Sequence, residues 1–140
     1  MAFKASTTAN GNSTTATGTA PAGLVAGDRL YASVSVDLAT IVITPPANWV
    51  RIGNIVNAAG SPDGHTFSLY EIKSTSGSES YSFGLNTAAD WAVQVVAFSG
   101  RDAVQAAIIQ NSNSTASNTT PISIGLGGVT AYAESDLLAV

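Results

Sequence analysis

The sequence contains no cysteine, and His65 is its single histidine among 140 residues. Those two absences exclude a disulfide framework, a thiolate nucleophile, a zinc knuckle and any mechanism that needs two imidazoles. Folding therefore does not require an oxidising compartment. Charge is also scarce: 10% of residues are Asp, Glu, Lys or Arg, against roughly 25% in an ordinary soluble domain. The basic residues Lys4, Arg29, Arg51, Lys73 and Arg101 are scattered and the net charge is −4, so no phosphate-tracking surface is expected and nucleic acid is not an expected partner. No stretch approaches the roughly 20 apolar residues of a membrane-spanning helix, and "MAFKASTTANGNSTTATGTAP" at the N-terminus has no apolar signal-peptide core. A membrane partner is likewise not expected, and synthesis in a cytoplasm is.

Ser, Thr, Asn, Gly and Ala take the place of the missing charge. A polar but nearly neutral surface resists association less than a charged one and suits a protein that assembles. The chain is long enough for one core, and its apolar residues recur mostly with period two between Gly, Pro and Asn turn signals. In "RLYASVSVD", Leu30, Ala32, Val34 and Val36 fall on one face, with Arg29, Tyr31, Ser33, Ser35 and Asp37 on the other. "TIVITPPANWVRIGNIV" breaks at Pro45-Pro46, where no backbone donor is present, and resumes from Trp49. Asp63-Gly64 signals a turn before Phe67, Leu69, Tyr70 and Ile72, whose change of phase predicts a bulge or a strand buried on both faces. "ESYSFGLN" places Tyr81, Phe83 and Leu85 on one face, and "WAVQVVAFSG" is apolar on both, as a central strand is. "NSNSTASNTT" reads as an exposed loop before the alternation of Ile122, Ile124 and Leu126. The pattern predicts an all-β protein, an antiparallel two-sheet sandwich of jelly-roll or immunoglobulin-like form. Residues 1–20 read as a flexible polar arm and residues 21–140 as the sandwich domain.

Little in this chain points to chemistry. His65 lies beside a turn and reads as an exposed loop residue, and no nucleophile-elbow phrase accompanies it to build a Ser/His/Asp triad. The carboxylates are dispersed, with Asp28, Asp63, Asp90, Asp102 and Asp136 each beside a turn or strand start, where Asp bonds nearby backbone N–H groups. They form neither a dense calcium loop nor a legible pair for glycoside hydrolysis. No catalytic, metal or cofactor-binding residue is assigned, and no cofactor is expected. Trp49 and Trp91 read as core anchors, although an open tryptophan is also a sugar-stacking platform. With Pro45, Pro46, Gly27 and Asp28 they make the expected structural framework. Tyr31, Ser33 and Ser35, on the polar face of their strand, are the candidate interface, since Tyr is enriched in protein contacts.

Pro21-x-Gly23, Gly27-Asp28-x-Leu30, "ITPPANW" over residues 43–49, the strand around Tyr70, Trp91 leading an apolar strand and Gly100-x-Asp102 follow one another in an order that carries a resemblance. The order resembles a β-sandwich module of tailed-bacteriophage virion proteins and large bacterial surface proteins, over residues 21–102. The resembling phrase more often has Gly before the Trp, where this chain has Asn48, a residue that tolerates the left-handed backbone. The resemblance implies a non-catalytic surface or assembly unit. It also implies that the strand opening at Asp136 continues, in a longer polypeptide or on a neighbouring subunit, and "GVTAYAESDLLAV" at residues 128–140 echoes residues 21–34.

The expected function is that of a non-enzymatic structural protein on a tailed-phage virion surface, a capsid decoration (cement) protein or fibre-base module. Its expected partners are capsid or tail proteins and copies of itself. The alternative is a glycan-binding or adhesive module of a tail fibre or bacterial surface protein, which would take a surface glycan.

Overall fold

The structure, a computed structural model, describes residues 2–57, 64–72 and 75–99. Six strands and no helix occur among them: β1 (Ala2–Thr17), β2 (Arg29–Val36), β3 (Ile43–Thr44), β4 (Val50–Asn57), β5 (His65–Ile72) and β6 (Ser82–Ser99). They form one antiparallel sheet in the order β1-β6-β2-β5-β4, with β3 joining β6 off that path. The all-β expectation holds for these residues. The segments around Ile122, Ile124 and Leu126, and around Gly100, Asp102 and Asp136, lie outside the described residues.

β2 follows its alternation on one face: Leu30, Ala32, Val34 and Val36 are fully buried and join Tyr70, Ile72, Val93 and Val95 in the main core. "WAVQVVAFS" is an interior strand as expected, with β1 on one side and β2 on the other. It is not separate from "SFGLN". Both belong to β6, and the polar stretch between them is an irregularity inside one long strand. β1 meets β6 in steady register from Ala5↔Ala97 to Ser13↔Ala89 and resumes only at Thr15↔Gly84, so residues 85–88 bulge. Asn86 fills the bulge by exchanging bonds with Val42: its N–H donates to the Val42 carbonyl at 3.3 Å and its Oδ1 accepts from Val42 N–H at 2.9 Å.

That bulge redirects the chain. Tyr70 lies level with Ala32, and Ala32 with Val95; Phe83 stands a dozen positions before Val95 on β6. Along a straight strand the two levels would be roughly 40 Å apart, yet the Tyr70 and Phe83 rings are 5.0 Å apart. The first part of β6 therefore turns back over the apolar face, carrying β3 and the end of β1 with it. Gly18 marks the crossing: a Cβ there would stand 3.0 Å from a Val93 methyl and 3.1 Å from a Val95 methyl.

Residues 2–17, read from sequence as part of a loose arm, are instead the edge strand β1. Their side chains carry no apolar stripe because the backbone ladder to β6 holds them. An edge strand needs only one buried face, and here that face is half-covered small residues. The phase change near Tyr70 has a related origin. The bulge is on β4, where Arg51↔Tyr70 is followed by Gly53↔Leu69, leaving Ile52 as the extra residue, while Tyr70, Glu71 and Ile72 are all buried.

The proline corner forms as read. β3 ends at Thr44, Asn48 takes φ 70°, and the Trp49 N–H returns to the Pro46 carbonyl at 3.3 Å. Trp49 is buried against Tyr81 and Phe83, with ring centroids 6.0 and 5.6 Å away, and its indole N–H donates to the Ser80 carbonyl at 2.8 Å. Trp91 differs: it is only partly buried, laid over Gly11, with its N–H on Ser13 Oγ at 3.0 Å. Trp49→Ala is expected to cost about 3–5 kcal/mol, a large share of an ordinary 5–15 kcal/mol stability, and Trp91→Ala clearly less. Urea denaturation checks the order; equal losses would show that the two indoles are equally packed.

Candidate functional site

Most charged side chains among the described residues are turned toward partners within the chain. The Gly27-Asp28 turn is the densest example. Gly27 has φ 92° and donates to the Thr75 carbonyl at 2.8 Å, while Thr75 N–H donates to the Asp28 carbonyl at 2.9 Å. Asp28, almost fully buried, accepts from Val25 N–H at 2.8 Å and from Lys4 Nζ at 2.6 Å. Burial alone would raise its carboxyl, but the Lys4 and Val25 bonds and the Lys4 charge outweigh it and hold the pKa below the ordinary 3.8. Asp28 thus ties the first turn of the domain to β1, at the bulge where Lys4 leaves the β1–β6 register.

On the sheet face opposite the main core, Arg29 Nε and Glu71 Oε1 stand 2.7 Å apart, each side chain 1% exposed. At that separation the opposite charges form a buried ion pair. Tyr31, Val96 and Phe98 are buried on the same face with Ile52 against them, and the Tyr31 and Phe98 rings meet edge-on at 5.9 Å. Here the sequence reading is corrected. Tyr31 was expected to be open for a subunit contact, and it is 3% exposed. The physical reason is its place between β6 and β5, whose bulky residues close over both faces. Ser33 is half-buried, and Ser35 alone of the three candidate interface residues is exposed.

Trp49 and Asp28 are buried, Gly27 is exposed at its turn, and Pro45 and Pro46 are half-buried at the corner. His65 opens β5 rather than standing in a loop, and its Nδ1 lies 2.8 Å from Asp37 Oδ1. Both side chains are more than half exposed, which makes this a solvent-screened pair. Glu79 closes a small loop by accepting from Thr75 Oγ1 and from the backbone and hydroxyl of Ser76. Burial would raise its pKa, and these bonds instead lower it from the ordinary 4.5. Among the described residues no three His, Cys, Asp or Glu side chains gather as metal ligands. A shallow depression of about 340 Å³ is lined by Val42, Ile43, Thr44, Pro45, Arg51 and Tyr70. Arg51 is its one charged side chain, so no acid–base pair or activated nucleophile lines it.

Among the described residues, one face of β1 is outward and uncharged. Ser6, Thr8, Asn10, Asn12 and Thr14 project from one face of β1 and are all exposed, and the surface they form is hydroxyl and amide without charge. This surface was not legible as a site because residues 1–20 lack the alternation that announces a strand. No family model, no characterised protein and no solved structure matches the chain significantly.

Two outcomes follow from the electrostatics. Asp28 has a lowered pKa in the fold, so the unfolded chain binds its proton more readily. Its stabilising contribution is full above the unfolded value near 3.8 and is lost as pH falls below it; Glu79 acts with the same sign from its ordinary 4.5. Urea midpoints measured at neutral pH and at about pH 3 should therefore fall with acid, and fall less in Asp28→Asn. An unchanged acid sensitivity in that variant would dismiss the Asp28 contribution. Arg29→Ala leaves the Glu71 charge buried and is expected to cost about 3–5 kcal/mol, whereas Arg29→Met with Glu71→Met should cost far less than the two single changes summed. A double-mutant cycle giving additive losses would contradict the coupling.

Proposed function

We propose that this protein is a non-enzymatic structural protein of a tailed-phage virion, a capsid decoration (cement) or fibre-base module that works by protein–protein adhesion. The observation that carries the reading is the disposition of charge. Among the described residues most ionisable groups have partners within the chain, as in Lys4–Asp28, Arg29–Glu71, the exposed His65–Asp37 pair and the Glu79 loop, while β1 turns an uncharged Ser/Thr/Asn face outward. A surface of that kind offers hydrogen bonds without repelling its own copies or a neighbouring coat protein. Gly27 and Asn48, two of the positions on which the resemblance to virion β-sandwich modules rests, both take positive φ, which supports this reading. The finer architecture we adopt is the two-sheet sandwich, supported by the fold-back of β6 that sets Phe83 against Tyr70.

Burial of Trp49 removes one of the two indoles on which a glycan-binding reading would rely. The purified protein is expected to co-sediment with empty phage heads or with tail assemblies, to saturate at a fixed number of copies, and to give no signal on a glycan array. Selective, saturable glycan binding without co-sedimentation would replace this proposal with the adhesive glycan module, and turnover in a hydrolase screen would end the non-enzymatic reading.

A further inference from the structure

We propose that the outer edge of β1 pairs antiparallel with the same edge of a second copy, about a two-fold axis near Asn10. The inference rests on the adhesive reading above and deepens it by naming the contact and the partner.

Among the described residues β1 ends the strand order, with a neighbour on one side only. Its register with β6 is unbroken over residues 5–13, between the irregularities at Lys4 and Thr14. At about 3.4 Å per residue that is roughly 30 Å of regular ladder. The backbone groups of alternate residues along it point away from β6 and offer donors and acceptors in the spacing that another antiparallel strand requires. Natural edges are ordinarily blunted by lysine, proline or an inward charge. This run has none of them, and Lys4 stands just outside it.

The occupant follows from the charge pattern. Residues 5–13 carry no charge, so the edge does not select a basic or an acidic partner, and superposing it on itself sets no like charges against each other. The nearest carboxylate, Asp90, is one strand inward and is bonded by Asn12 Nδ2 at 2.8 Å. With a two-fold near Asn10, Thr8 faces Asn12 of the other copy, and the exposed face becomes a row of hydroxyls and amides that can each donate and accept. On the opposite face the near-edge residues are Ala5, Thr7, Ala9, Gly11 and Ser13, small enough for two sheets to continue into one another. Such an isologous contact closes on itself and gives a discrete dimer. The other sheet edge suits this less well, since β4 is half as long, carries Arg51 and is bulged at Ile52.

Sedimentation equilibrium on the purified full chain tests the proposal independently of any phage particle, so its failure and that of the adhesive reading are separable. A dimer is expected at tens of micromolar. Thr8→Lys with Asn12→Lys should shift the protein to monomer, raising the dissociation constant at least tenfold with the circular-dichroism spectrum unchanged. Because the chain has no cysteine, Asn10→Cys gives a second reading that does not depend on the lysine variant folding: mild oxidation should link it into dimers, and Ser78→Cys, in an exposed loop, should not link. A wild type that stays monomeric to about 1 mM overturns the proposal. So does a monomer whose alternate β1 amides resist hydrogen exchange throughout residues 5–13, because the edge would then be filled by the chain's own residues.

Discussion

A slip of one residue between β2 and β5 would carry Arg29 away from Glu71 and onto the face occupied by Leu30, Ala32, Val34 and Val36. An unpaired guanidinium in that core would be far more costly than any contact the slip could create. The 2.7 Å pair between two side chains that are each 1% exposed therefore acts less as a source of stability than as a lock on register. Removing two charges from water offsets much of their attraction, and what survives is discrimination against every alternative pairing. With β2 and β5 locked, the paired residues set Tyr70 level with Val95. That places the ring where the returning segment of β6 must bring Phe83. The aromatic cluster of Trp49, Tyr70, Tyr81 and Phe83 thus depends on an ion pair on the opposite side of the sheet.

The fold-back extends this dependence to the periphery. β6 can reverse direction only because residues 85–88 leave the ladder and Asn86 supplies the bonds that Val42 would otherwise lack. The bulge and the segment before β3 therefore hold each other through these two bonds. Gly18 then passes over Val93 and Val95 at a distance that leaves little room for a side chain. Asp28, holding Lys4, ties the start of β1 to the domain, and the polar strand is fixed at both ends.

This arrangement explains what could be read in the sequence and what could not. The core face of β2 was legible because period-two alternation is a direct image of a pleated strand. So was the proline corner, because Pro45-Pro46 cannot donate and Asn48 tolerates positive φ. Tyr31 was misread because alternation assigns a residue to a face without saying what covers that face, and Phe98 and Val96 close over it from a strand more than sixty residues away. β6 was divided in two because its polar middle resembles a turn, and only the Asn86–Val42 exchange makes that middle a bulge. β1 carried no signal at all, since a strand held by backbone bonds to a neighbour leaves no mark in hydrophobic periodicity. The candidate surface was hidden for the same reason.

The polarity of β1 has a consequence of its own. Each ladder bond contributes about 0.5–1.5 kcal/mol net, while ordering each residue costs about 1–2 kcal/mol of backbone entropy. A strand of Ser, Thr, Asn and Gly with few buried side chains is therefore close to balance. Contacts at Phe3–Phe98, Lys4–Asp28 and Gly11–Trp91 supplement the backbone ladder that holds it to β6. Evolution could have strengthened it by alternating Val and Ile, but such an edge would be sticky toward any exposed strand. An uncharged, polar strand pairs where a matching backbone is already ordered beside it, as the same edge of a second copy would be. The chemistry that makes β1 nearly invisible in the sequence suits it to join copies selectively.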